Sequence, residues 1–236
     1  MAEANAKTMC LFGGTGNTGR YFLPAALAAG WRVKAVLRTP GKVEDQPNLI
    51  KVKGDLTNAG DIAAAVEGVD VVVCLAGVPR GAKPGSKFDG FMTQAITDIV
   101  AAMEQHGVRR LMFQVGGFTL LHGEPATGCC IGCLVRDCIL GCCMGERLAL
   151  RQNQEIAEFL QEKNATIDWT LPRPGMLKHD DAKGVPVVSV KGATDTIAFV
   201  DLAAWEVTLL DDDATIHTAP FPGYGKKSDV SGGAAI

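Results

Sequence analysis

CLFGGTGNTGRYFLPAAL, residues 10–27, sets Gly13, Gly14, Gly16 and Gly19 between an apolar run and a helical pattern. Residues 9–12 read as a strand and residues 17–29 as a helix that Gly30 stops. Glycines in such a place form either an ordinary βα turn or a phosphate cradle. Gly14, Gly16 and Gly19 fit G-x-G-x-x-G, and Gly13, Gly16 and Gly19 fit G-x-x-G-x-x-G. Glycine allows the tight turn and lets backbone N–H groups approach a diphosphate, while the helix N-terminus adds partial positive charge. Strand before and helix after are the context that the motif needs, so the stretch is read as a dinucleotide cradle.

The same rhythm runs down the chain. Residues 31–37, 49–52, 69–75, 108–114 and 166–171 read as strands, and residues 61–67, 88–106 and 147–163 as helices. Alternating strands and helices predict βαβ units, and VVVCL at 71–75 is apolar enough for a strand buried on both faces. The expected fold is α/β, a doubly wound parallel sheet of Rossmann type with about seven strands and a small C-terminal substrate lobe. Residues 1–224 are expected to form that single domain. The polar, glycine-rich end, GYGKKSDVSGGAAI, is expected to be loose, with 225–236 as a flexible tail.

The end of the second strand selects the coenzyme. An Asp or Glu there would accept from ribose hydroxyls, whereas an Arg suits a 2′-phosphate. The chain reads VKAVLRTPGKV, with Arg38 at the strand end and Thr39 and Lys42 behind it. A guanidinium offers a fixed charge and a fork of donors, so NADP is the expected cofactor.

Composition narrows the partners. The 236 residues carry a formal charge of −3 with lysine and arginine scattered, so no nucleic-acid partner is expected. The N-terminus has no apolar leader segment, and no stretch reaches the roughly 18 apolar residues of a membrane span. A cytoplasmic protein with a small-molecule substrate is the expectation.

GGTGNTG, Arg38, KGDLTNAGDI, VVVCLAG and WTLPRPGML together resemble the atypical short-chain dehydrogenase/reductases. Within these the chain is most similar to the group of NmrA-like proteins and biliverdin reductase B, a flavin reductase. The resemblance spans about residues 7–222 and is poor over 119–150. It implies that Thr15, Gly16, Asn17 and Thr18 line the pyrophosphate and that Arg38 holds the 2′-phosphate. It places Asp55 and Leu56 at the adenine and Leu75, Ala76 and Gly77 along the adenosine ribose. Gln114, Val115, Pro174 and Gly175 would sit near the nicotinamide end.

Standard members of that superfamily use a Tyr and a Lys four residues later as a proton relay. Of the two tyrosines here, Tyr21 is followed at that distance by Ala25 and Tyr224, at the tail, by Ser228, so neither forms the pair. Where biliverdin reductase B carries a Ser and a His, this chain has Gly116 and Gly175. Gln154 stands for a further basic residue of relatives, with Arg151 nearby as a substitute. Two functions remain open. One is NADPH-dependent hydride transfer to a planar acceptor such as a flavin or quinone, with Gly116 and Gly117 opening space for a flat ring. The other is an NADP(H)-binding redox sensor that regulates a protein partner without turnover.

Other chemistry-bearing residues are less directive. Six cysteines crowd into residues 129–143, among them Cys130, Cys133, Cys138 and Cys142, which are metal-ligand candidates. The segment also fits redox thiols, lipidation or small hydrophobes in an interface. His122 and His179, in loops expected near the nicotinamide, are candidate proton donors. His106 suits a helix C-terminus, Asp201 is expected to be an N-cap, and His217 has no evident partner.

Overall fold

The computed structural model describes residues 7–124, 145–189, 192–193 and 195–224. Six strands, β1 (Thr8–Phe12), β2 (Arg32–Leu37), β3 (Leu49–Lys53), β4 (Val71–Cys74), β5 (Arg110–Phe113) and β6 (Asp168–Thr170), form one sheet. Its order is β3-β2-β1-β4-β5-β6, and every pairing is parallel. The segment after residue 216 occupies the seventh place. It meets β6 in a single parallel bridge, Thr170 to Thr218, supported by Leu171 N–H donating to Thr218 O at 2.9 Å.

Alternating side chains explain the two layers of helices. Cys10 and Phe12 of β1 and Val72 and Cys74 of β4 enter one core with Ile62, Ile96, Ile99, Leu111, Ile156 and Trp169. Met9, Leu11, Val71 and Val73 enter the other, with Phe22, Trp31, Val33, Leu202 and Trp205. The first core lies under α2 (Ala59–Val66), α3 (Phe91–His106) and α4 (Arg147–Glu162); the second lies under α1 (Gly19–Ala28) and α5 (Phe199–Thr208). Full burial of each large side chain stabilises the fold by about 1.5–3 kcal/mol.

Caps punctuate these helices. Asn58 Oδ1 accepts from the Gly60 and Asp61 amides at the start of α2. Gly30 closes α1 at φ +90°, as its place in the sequence leads one to expect. The helix expected from residue 88 begins instead at Phe91, because Gly90, at φ +74°, breaks the chain before it.

The C-terminal lobe consists of β7 (Met176–Lys178) pairing parallel with β9 (Thr196–Ala198), and β8 (Val187–Val188) pairing antiparallel with β10 (Pro222–Gly223). Asp201 is not the expected N-cap; Ala198 holds that place, and Asp201 lies buried in the first turn of α5. Its carboxylate accepts from the Lys183 amide at 2.8 Å and from the Tyr224 hydroxyl at 2.5 Å. Tyr224 is therefore no part of a loose tail: its hydroxyl also accepts from the Ala198 amide, and its own amide donates to Asp195. His217, without an evident partner in the sequence, has one, with Nε2 3.0 Å from Ile167 O.

One core residue breaks the apolar rule. Glu206 of α5 is fully buried, and neither carboxylate oxygen has a hydrogen-bond partner among the described residues. Burial pushes its carboxyl well above the usual range, which favours the neutral acid.

Candidate active site

A cavity of about 770 Å³ opens at the carboxyl ends of the strands, where the order reverses between β1 and β4. That is where an open parallel sheet has room for a ligand between diverging loops. One end is lined by Arg38, Thr39, Lys42, Asp55 and Leu56, the middle by Gly13, Thr15 to Thr18 and Leu75 to Gly77, and the other end by Gln114, Val115, Gly116, Pro174 and Gly175. Fifteen of the sixteen residues expected from the sequence to hold the cofactor thus line one cavity, and Gly19 does not.

Gly19 acts from behind. A Cβ there would collide with Gly13 O and lie 2.7 Å from Gly14 Cα, so a hydrogen is required where α1 meets the turn. Gly13 has φ +81°, and a Cβ on it would stand 2.5 Å from the Ala76 nitrogen. Gly14 meets only the flexible end of Leu11. Of the two glycine spacings, G-x-x-G-x-x-G is the one that the packing needs. The amides of Thr15, Asn17 and Thr18 have no acceptor among the described residues, and α1 has neither a side-chain cap nor an acidic first turn. Bare donors at a helix N-terminus fit a diphosphate.

Arg38 stands exposed at the end of β2, with no hydrogen bond or ion pair to the described residues. Asp55 turns its carboxylate to Thr57, whose amide and hydroxyl both donate at 2.9 Å. The Thr57 amide, more than the Arg38 charge, holds that carboxyl below its ordinary range.

The far end is built by Gly116, α4 and β7, and here expectations need correction. Gly117 opens no space, because a Cβ on it would meet Ala193 and lie 3.0 Å from Pro174 O; Gly175 is filled likewise, 2.7 Å from Ala193 O. Both glycines serve chain packing. Gln154 does not reach the cavity but clamps Leu120, donating to its carbonyl and accepting from its amide, each at 3.0 Å. Arg151 pairs with Asp89 and Glu155 outside the lining. The residues of α4 that do reach it are Ala149 and, one turn later, Asn153; Glu146, at the helix N-cap, lines it too. Glu146 Oε1 in turn is 3.3 Å from Arg80 Nε.

Neither His122 nor His179 lines the cavity. His122 is exposed, and His179 lies behind Phe199, with ring centroids 4.6 Å apart and Nδ1 3.4 Å from the Tyr21 hydroxyl. Cys130, Cys133, Cys138 and Cys142 fall outside the described residues; among those described, no three His, Cys, Asp or Glu side chains converge as a metal site. Cys10 and Cys74 are buried, and burial pushes the Cys74 thiol up to about 12.

Sequence reasoning also missed Arg173. It is buried, donates to Ala219 O and Thr119 O, and forms a two-pronged ion pair with Glu124. Burial opposes the charge on Glu124, but the Arg173 hydrogen bonds and the Leu121 amide outweigh it and hold the carboxyl low. The pair ties the loop after β5 to Pro174 and Gly175, which fixes the far wall.

Comparison with known proteins agrees with this geometry. The chain is 30% identical over 193 residues to an uncharacterized chloroplastic protein of Arabidopsis thaliana, covering 78% of this chain and 64% of that protein. It is 27% identical over 119 residues to a 3-beta-hydroxysteroid dehydrogenase of Mycolicibacterium neoaurum, covering 48% and 32% respectively. The chain thus spans less than two thirds of the length of either relative. Among solved structures, the oxidoreductase YlbE from Lactococcus lactis superposes with a TM-score of 0.73 at 18% identity, covering 93% of this chain and 91% of that one. ChuY, an anaerobillin reductase from Escherichia coli, superposes with 0.67 at 19% identity, covering 92% and 96%. No helix among the described residues is long and apolar enough to cross a membrane. Residues 13–213 match the NAD(P)H-binding family, and with the cradle and the strand order in place the chain belongs to that family of Rossmann-fold proteins.

Proposed function

We propose that the protein is an NADPH-dependent oxidoreductase that delivers hydride to a planar acceptor, a flavin or a quinone, with no proton donor of its own. The choice of NADPH rests on Arg38, an unpaired guanidinium at the adenosine end with Lys42 beside it. Asp55, Leu56, Leu75, Ala76 and Gly77 would flank the adenosine, and Gln114, Val115, Pro174 and Gly175 the nicotinamide.

The lack of an unpaired acid among the described residues at the reacting end carries the reading. α4 presents Ala149 and Asn153, four residues apart on one face, opposite Gly116. A tyrosine and lysine relay needs that spacing, and here it holds a methyl and a neutral amide. The ionisable side chains among the described residues lining this end are Arg80 and Glu146, which pair with each other. An aldehyde or ketone would need a positioned acid to take up hydride as an alkoxide. A flavin or quinone delocalises the added charge and takes its proton from water.

Held by the glycine turn and Arg38, NADPH would supply the hydride, and solvent would supply the accompanying proton to the acceptor. The chain's part is orientation and exclusion of side reactions. An aqueous compartment is proposed, the cytosol, with a plastid as the alternative suggested by the name of the Arabidopsis relative.

Steady-state oxidation of NADPH with riboflavin, FMN and menadione tests the reading. Turnover with at least one is expected. Micromolar NADPH binding without turnover on any would refute it and leave a coenzyme-sensing regulator with a protein partner.

A further inference from the structure

Three consecutive side-chain amides on α4 behave differently. Gln152 is buried and fully used, donating to Phe88 O at 2.9 Å and accepting from the Met92 amide at 2.8 Å. Gln154 is used as well, clamping both main-chain groups of Leu120. Asn153, between them, has no hydrogen-bond partner among the described residues and lines the cavity instead. Its Nδ2 comes within 3.1 Å of where a Cβ on Gly116 would stand. Gln114 lines the same end, and its Oε1 is buried with no donor.

Polar atoms withdrawn from water without partners are rare in native proteins, because leaving them so is costly. Gln114 Oε1 is such an atom, and with the unpartnered, half-buried amide of Asn153 at the same end of the cavity it points to a ligand that completes both. A carboxamide presents an N–H donor and a C=O acceptor on one planar edge. Its complement is another edge where a carbonyl adjoins an N–H: an amide, an imide or a lactam. A quinone, which offers carbonyls alone, satisfies only the donor.

We propose that Asn153 binds the imide or lactam edge of the hydride acceptor, with Gln114 as a second point of attachment, so that flavin-type acceptors are favoured over plain quinones. The assignment rests on the reductase reading for its choice of ligand, and it makes Asn153 an acceptor-binding residue. Phe91, Ala149 and Met176 line the same cavity and would give the plane of such a ring an apolar surface.

The test compares riboflavin with 3-methylriboflavin, whose imide nitrogen carries a methyl group in place of hydrogen. Binding to the full chain saturated with NADP+ is followed by quenching of flavin fluorescence. Riboflavin is expected to bind about tenfold more tightly, the worth of one neutral hydrogen bond whose loss strands a partner. In Asn153→Leu that ratio should fall to about one. Equal binding of the two flavins to the unaltered chain overturns the proposal, as does a ratio that persists in Asn153→Leu. Weaker NADPH binding in the variant with an unchanged flavin ratio also overturns it, by assigning the amide to the coenzyme. Should the variant fail to fold, the two flavins on the unaltered chain decide alone. Discrimination between them without NADPH oxidation would refute the reductase reading while the acceptor edge stands.

Discussion

Arg38→Ala isolates the coenzyme choice. The side chain is exposed and bonded to nothing among the described residues, so its removal strands no partner, and stability should move by no more than about 0.5 kcal/mol. Binding is another matter. A guanidinium on a phosphate contributes about 1.5–3 kcal/mol, which is roughly 10- to 150-fold in affinity. The upper half of that range applies, because Asp55 lines the same end. Without Arg38 a 2′-phosphate held here would face that carboxylate with Lys42 as its remaining cation in the lining. NADH has no 2′-phosphate and should lose less than twofold. Arg38→Lys keeps the charge but not the fork and should fall between, near tenfold. Fluorescence titration of both coenzymes at two ionic strengths measures this, and the NADPH advantage should shrink as salt screens it. Equal losses for NADPH and NADH, or no loss for either, would refute the argument.

Three further outcomes can be checked directly. Gly19→Ala should abolish NADPH binding in titrations, because its Cβ runs into the backbone of Gly13 and Gly14, which cannot move aside as a flexible side chain would. Burial raises the Glu206 carboxyl well above its ordinary value of 4.5, so its contribution is fully present below pH 4.5. It is then lost by about 1.4 kcal/mol per pH unit as pH rises towards the folded value; Glu206→Met should remove that slope from denaturant unfolding curves between pH 4 and 8. Tyr224→Phe deletes the hydroxyl shared by Ala198 and Asp201 and should cost about 1–2 kcal/mol in the same assay, with no change in NADPH affinity.

What the sequence disclosed follows from how local each feature is. The glycine turn lies in seven adjacent positions between a strand and a helix, and Arg38 at the end of the next strand, so their meeting at one cavity was legible. Parallel order followed from the alternation of apolar runs and helical patterns. Features that join distant residues were not legible. Asp201 looked like a cap because it opens a helical pattern, yet its partners lie 18 and 23 residues away. Arg173 and Glu124 are 49 apart and carry no pattern that links them. Glycine itself was ambiguous: absence of a side chain at Gly117 serves Ala193, not a ligand, and only packing tells the two apart. Asn153 drew no notice because three adjacent amides look alike until two are seen to be spent.

The neutral far end of the cavity has a consequence for control. An enzyme with its own proton donor carries its own acidity from one substrate to the next. With Gly116, Ala149 and Asn153 in the key places, the proposed reductase has none among the described residues to impose. Its rate-versus-pH curve would be inherited from whatever it reduces, so two acceptors whose reduced forms differ in acidity should draw two different curves from the same protein.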